Sequence, residues 1–354
     1  MLRDFFTSLF LREGNKALLP LFVLITIFVA MAQFVAYQTG NGDKARLFLY
    51  SGIVVKVSGL FVALFICFQI LSIMIFERPR RLTKRIFKKF KEEFFTAKRL
   101  SHGLGIVIFF NFFISAFTSF KSLIPVLNAY SWDETFYILD KKLHFGIDPW
   151  VFSHSVFNGP LTTDLINIGY NLWFPVMFFI LYWQAFTFKN PCLRLKFFYS
   201  FILCWIINGV LLATIFSSVG PCFYERAGFL PLDAYSELMA RLNAFTESRP
   251  IWALSTQDSL WRNYLNSETG LGSGISAMPS MHVSIAFLMM LLGFSQENKF
   301  LKVFLCLFFI LILIGSVHLA WHYAVDGYLS IITTLLIWLL TGQGLKLYLR
   351  RAHV

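Results

Sequence analysis

The sequence predicts an all-α protein, a polytopic bundle of helices in a membrane. Of its 354 residues, 57% are hydrophobic and 18% aromatic while only 14% are charged, against roughly 25% charged in a soluble globular domain. Apolar stretches of about 20 residues, enough for a helix to cross a bilayer, recur along the chain. The Lys and Arg residues gather between those stretches, with ten of the 31 lying from Arg78 to Arg99. A net charge of +12 raises nucleic acid as a partner. The cluster sits between two apolar stretches with no nucleic-acid motif beside it, which is the signature of a cytoplasmic loop facing anionic headgroups. The partner this implies is the membrane, not nucleic acid.

Taken in order, residues 1–16 place Phe5, Phe6, Leu9, Phe10 and Leu11 among basic side chains, as in a short helix lying on the cytoplasmic face. The first span falls near 18–38. It contains Ala30-Met31-Ala32, which is similar to a signal-peptidase site, but its apolar core is too long for a signal peptide and predicts a retained anchor. Further spans fall near 48–76, 103–126, 163–187, 196–218, 279–295, 301–319 and 324–345, making eight. With both termini inside, the cytoplasmic segments hold 21 basic residues and the outer segments 8, an asymmetry that sets the orientation.

The chain divides after residue 101. Residues 1–101 comprise the amphipathic N-terminus, two spans and the basic loop, and 102–354 the remaining six spans. Two outer segments are long. Residues 127–162 are rich in aromatic side chains, as suits a helix in the interface. Residues 219–278 hold Gly220, Pro221, Pro231, Pro250, Gly270, Gly272 and Gly274, and a segment of that length is more than a connector. Cys67, Cys192, Cys204, Cys222 and Cys306 are scattered with no CxxC pair, so no disulfide framework is expected. Sparse cysteines and short loops favour a bacterial inner membrane.

Two strings carry chemistry, both at the outer ends of spans. In Ala277-Met278-Pro279-Ser280-Met281-His282, proline suits the first turn of a helix. The free amides and dipole of such a helix start attract an anion, to which Ser280 can donate, with His282 one turn in. In the second, His318-Leu319-Ala320-Trp321-His322-Tyr323-Ala324-Val325-Asp326, His322 and Asp326 share a face if the segment is helical. A carboxylate on one imidazole nitrogen leaves the other free to act as nucleophile or base. Ionisable residues at membrane depth are costly, which favours function over an idle ion pair. His318, His322 and Asp326 also have the spacing of a metal site. That leaves the first string unexplained, and the outer loop lacks an acidic cluster, so neither metal nor cofactor is expected.

PSxH (Pro279 to His282), about 40 residues, then HxxxD (His322 to Asp326), each opening a membrane helix, resembles the type 2 phosphatidic acid phosphatase superfamily. The resemblance implies a six-helix core over roughly 103–345, with the first two spans as an addition. It also implies a metal-free, ping-pong phosphoryl transfer on a lipid phosphate through a phosphohistidine. His322 would attack phosphorus, Asp326 would orient it, His282 would protonate the leaving alkoxide, and Ser280 with nearby amides would hold the phosphate oxygens. Two departures stand out. The family carries Ser-Arg ahead of the HxxxD histidine, where this chain has Gly315-Ser316. The family's KxxxxxxRP string is missing, and its nearest imitation, Arg241 to Arg249-Pro250, has one residue too many.

Loss of the Ser-Arg pair is shared with a branch that looks like inositol phosphorylceramide synthases and sphingomyelin synthases, which move a phospho-headgroup between lipid alcohols. A transferring phosphoryl group still needs cations or donors. The candidates are Lys121, His318, and Tyr224 and Arg226 in the string Gly220 to Arg226. Transfer to a lipid alcohol is thus the expected reaction, with water as acceptor the alternative. A non-catalytic scaffold or transporter is the competing class, but transport predicts ionisable residues deep in the membrane, and only Lys56 lies well within a span. Nothing in the sequence sets the oligomeric state.

Overall fold

The computed structural model describes residues 18–94 and 96–352, and among them every regular element is helical. The amphipathic segment read at 1–16 lies outside the described residues. The chain begins with α1 (Leu19–Gln38) and α2 (Ser51–Ser72, extended by a wider turn to Glu77). The basic loop then forms α3 (Leu82–Lys89), where Arg85 and Lys89 both pair with Glu77. Next comes α4 (Ala97–Lys121), opened by the Thr96 hydroxyl, which accepts from the Arg99 amide. A capped start of this kind satisfies one of the amides that the helix leaves unpaired.

Both long segments between spans contain helices. Residues 127–162 contain α5 (Asp133–Leu143) and α6 (Pro149–Val156), followed by α7 (Pro160–Asn171). α7 continues through Leu172 into α8 (Trp173–Phe186) as one apolar rod. α9 (Pro191–Ile206) starts from an Asn190 cap on the Leu193 amide and runs on through Ile215. Residues 219–278 contain α10 (Ser236–Thr246) and α11 (Trp252–Leu265). The chain ends with α12 (Met281–Phe294), α13 (Lys299–His318) and α14 (Ala324–Ala352).

Among the described residues seven helices, α1, α2, α4, α7–α8, α9, α13 and α14, are long and apolar enough to cross a membrane. The eighth expected span is shorter. α12 has 14 residues and rises ~21 Å, less than the roughly 30 Å of a bilayer core. The chain leading into it is irregular backbone, which survives at depth only where protein satisfies its polar groups. Here the Ala277 amide donates to the Ser218 carbonyl at 3.0 Å and the Met278 amide to the Ser218 hydroxyl at 3.2 Å.

α12 is the centre of the bundle, with Val283, Ile285, Ala286, Leu288, Met289 and Leu292 all buried. The N-terminal α1 packs on α4 through Phe22 on Phe109 (centroids 4.2 Å apart) and Phe28 on Phe113 (5.0 Å). α2 is different, for between Ser51 and Ser72 only Val54 is buried. One end of the bundle gathers Tyr50, Asp133, Val219, Gly272, Ala277 and His322, through the bonds detailed below. At the other end Arg99 and Arg194 lie over the Phe188 ring.

Candidate active site

The chain turns between α13 and α14 in five residues. The Ser316 carbonyl accepts from both the Trp321 and His322 amides at 3.0 Å, with Ala320 in the left-handed region at φ 60°. His322 therefore precedes the helix instead of riding on it, so a shared helical face is not what joins it to Asp326. Asp326 is the third residue of α14 and folds back over the helix start. Its Oδ2 accepts from the Tyr323 amide at 3.0 Å and meets His322 Nδ1 at 3.2 Å, as in a capping box.

A second acceptor decides the tautomer. The Ala277 carbonyl lies 2.9 Å from the same Nδ1. A carbonyl oxygen only accepts, so Nδ1 carries the proton and Nε2 keeps its lone pair. Burial, and then the Lys121 charge, hold the His322 pKa below the ordinary imidazole range. The ring is neutral, as a nitrogen nucleophile must be.

Pro279 lies just outside α12, not in its first turn. Ser280 is the cap, fully buried, and its hydroxyl accepts from the Val283 amide at 3.3 Å. His282 follows in the first turn. Its ring stacks on Tyr170 (4.8 Å) and tilts against Trp173 (4.5 Å), whose indole N–H donates to the His282 carbonyl at 3.0 Å. The centroids of His282 and His322 are 6.1 Å apart, and both rings line one cavity. Ser330 donates to the Ser280 carbonyl at 2.9 Å and Ser284 meets Thr334 at 2.6 Å, stitching α12 to α14 and holding this separation.

Two carboxylates that the sequence reading passed over set the loop and the helix start. Asp140 of α5 accepts from the Ala324 and Val325 amides at 2.8 and 2.9 Å, capping α14 from outside the bundle. Asp133, two turns earlier on the same face, accepts from Val219 and Gly220 amides and from the Tyr323 hydroxyl at 2.7 Å. Burial raises both pKa values, that of Asp140 to about 7. Gly220 is obligatory in this arrangement. Its φ is +92°, and a Cβ there would sit 2.9 Å from the Trp321 carbonyl oxygen. Asp140→Ala strands two buried amides, which costs ~2–4 kcal/mol. The expected result is a lower unfolding temperature in detergent and a fall in kcat with KM little changed, partly restored by Asp140→Asn.

The cavity encloses about 920 Å³, and Lys121, His282 and His322 are its charged or imidazole side chains. Lys121, at the end of α4, is within electrostatic reach of both rings and makes no hydrogen bond or ion pair among the described residues. The Met281 and His282 amides, at the start of α12, likewise have no partner among the described residues. Ser276 also lines the cavity, whereas Ser280 is spent on the cap. Where the resembling family has Ser-Arg, Gly315 is closed in by Tyr170, whose ring carbon would lie 2.8 Å from any Cβ. The neighbouring Ser316 hydroxyl donates to the Ile312 carbonyl at 2.7 Å.

The remaining sequence candidates stand elsewhere. Arg226 is exposed and pairs with Asp258 at 2.6 Å. The Tyr224 hydroxyl donates to the Leu230 carbonyl within a cluster with Tyr137 and Tyr235. His318 stacks on His154 at 3.8 Å, with its ring nitrogens on Ser153 (3.1 Å) and Thr163 (2.9 Å). None of the three lines the cavity. Those bonds turn His318 away from His322, and among the described residues no three His, Cys, Asp or Glu side chains converge as metal ligands.

No curated protein and no solved structure matches the chain. Residues 134–340, more than half of the chain, match the family described as the PAP2 superfamily, and they hold His282, His322, Asp326, Asp140 and the Ala277 carbonyl. With this histidine pair at one end of a membrane helical bundle, the chain belongs to the PAP2 superfamily.

Proposed function

We propose that this protein transfers a phosphate or phospho-headgroup between lipid alcohols through a phosphohistidine, on the extracytoplasmic side of its membrane. The observation that carries the reading is His322 Nε2, left free because Nδ1–H is held by the Ala277 carbonyl and Asp326, facing His282 across a cavity that also holds Lys121. In the first half-reaction Nε2 bonds to phosphorus as the ester P–O bond breaks, and His282, which burial leaves neutral in the free protein and which takes up a proton as the phosphate anion binds, gives that proton to the departing alkoxide. In the second, neutral His282 takes the proton of the acceptor hydroxyl, whose oxygen bonds to phosphorus as the P–N bond breaks. Asp326 offsets the charge on His322 in between.

Lys121, the Met281 and His282 amides and Ser276 are the groups assigned to the phosphate oxygens. Lys121 replaces, from a different helix, the arginine whose place Gly315 and Ser316 take. The excess of Lys and Arg in the segments at the far end supports the extracytoplasmic placement of the site. An apolar cavity beside the histidines supports a lipid over a soluble phosphate ester.

The test uses purified protein in nanodiscs with a phospholipid donor labelled in phosphorus. With diacylglycerol or ceramide present, the label is expected to move to the added alcohol. Inorganic phosphate released at the same rate with no alcohol present would turn the assignment to a lipid phosphate phosphatase.

A further inference from the structure

The N-terminal α2 lies outside the residues matched to the superfamily, yet it walls the catalytic cavity. Tyr50, Ile53, Val57, Leu60 and Leu64 line it, spaced by three and four residues along one face. Phe174, Phe178, Phe179 and Tyr182 of α8 stand opposite. α2 is tethered mostly at the end near the histidines. The Tyr50 amide donates to the Ser115 hydroxyl at 3.3 Å, and the Tyr50 hydroxyl meets Thr118 at 3.1 Å and the Gly272 amide at 2.8 Å. Asn111 donates to the Ser51 hydroxyl at 3.1 Å at the same end, and Ser58 meets Tyr182 at 2.6 Å lower down. At that level Phe61 packs on the Phe179 and Tyr182 rings of α8 (centroids 5.9 and 5.1 Å), while the leucines beside it are open, with Leu60 60% and Leu64 55% exposed.

These facts define a slot with two unlike ends. At one end are Lys121, His282 and His322; along the rest, the lining has no Asp, Glu or Arg and no second Lys. From Tyr50 to Leu64 the helix rises ~21 Å, somewhat more than the roughly 15 Å that one leaflet contributes to a bilayer core. An occupant must carry an anion at one end and a leaflet-length apolar body behind it. Free phosphate or a soluble sugar phosphate leaves the body of the slot wet and empty.

We infer that the slot between α2 and α8 takes a hydrocarbon chain of the phospholipid substrate, entering sideways from the leaflet on which the histidines open. Val57, Leu60 and Leu64 set the chain length it accepts. The inference rests on the lipid-phosphate assignment above and adds which lipid part is read, and by which helix. Selection between chain lengths then belongs to the added N-terminal helices, while the chemistry stays with α12 and α14.

Two measurements test it. The first compares dioleoyl with dibutyryl phosphatidate in mixed micelles. Val57→Trp is expected to lower the ratio of long- to short-chain turnover at least tenfold. Val55→Trp, the same change on the face of α2 that is 71% exposed and away from the cavity, is expected to leave the ratio within twofold. A ratio unchanged by Val57→Trp, or moved equally by both variants, overturns the inference. The second needs no turnover: a phosphatidate with a diazirine near its chain end is photolysed on His322→Ala protein and the adducts are mapped. Adducts on 53–64 and 174–182 support the slot, and adducts confined to other helices overturn it. Should the wild-type protein turn over no lipid phosphate at all, the function assigned above fails, and the adduct map alone decides the slot.

Discussion

His322→Ala is expected to abolish turnover, with a loss of about 10³-fold or more, because it removes the nitrogen that the Ala277 and Asp326 bonds keep unprotonated for attack on phosphorus. The signature is covalent. Wild-type protein quenched during turnover of a phosphorus-labelled donor should carry label that is stable in alkali and lost in acid, as a phosphoramidate is, and His322→Ala should carry none. Asp326→Asn separates the two acceptors on Nδ1. The Ala277 carbonyl at 2.9 Å still fixes the tautomer, so the label should form, but the charge on the phosphorylated ring is less well offset and kcat should fall by about 10²-fold. Burial and Lys121 keep the His322 pKa below the ordinary imidazole value. The neutral ring therefore persists as pH falls, and the loss of His322 activity should begin below the range where a solvent-exposed histidine protonates. Label that survives in His322→Ala would end the nucleophile assignment.

Much of this site was legible in the sequence, for reasons of spacing. Apolar runs mark α1, α2, α4, α9, α13 and α14 because a bilayer-crossing helix needs its length in apolar residues. The strings at 279–282 and 322–326 name the histidine pair and Asp326 directly. What escaped was whatever depends on backbone. The carbonyl that fixes the His322 tautomer belongs to Ala277, 45 residues away, and an alanine gives no hint of what its carbonyl touches. Asp133 and Asp140 are seven apart and so share a face of α5, but in an interfacial helix a buried acidic face and a solvated one read alike. Their partners lie 86 to 190 residues away. Arg226 shows the converse. A lone arginine beside Gly220-Pro221 looks available until Asp258, 32 residues on, is seen to hold it. Proline at the first turn was the natural expectation for 279–282, yet a serine cap outranks it, and Ser280 takes the cap while Pro279 falls outside the helix.

His282→Ala carries the second large effect, and it should depend on the leaving group. A lipid alkoxide is too basic to depart unprotonated, so removing the proton donor should cost about 10²–10⁴-fold in kcat on a phospholipid. An aryl oxide departs without a proton. On nitrophenyl phosphate the same variant should lose less than about tenfold in forming the phosphoenzyme, measured as the burst of nitrophenol in a single turnover. The geometry separates this from mere damage. α12 remains tied to α14 through Ser330, Ser284 and Thr334, and Trp173 still has the main-chain carbonyl of residue 282 to donate to. The truncation removes only a ring that Tyr170 and Trp173 hold in place, leaving His322 bound to Ala277 and Asp326. Equal losses on lipid and aryl substrates would make His282 a packing residue for the nucleophile instead of its acid. A selective loss on the lipid would place the proton transfer on the His282 ring, 6.1 Å from that of His322.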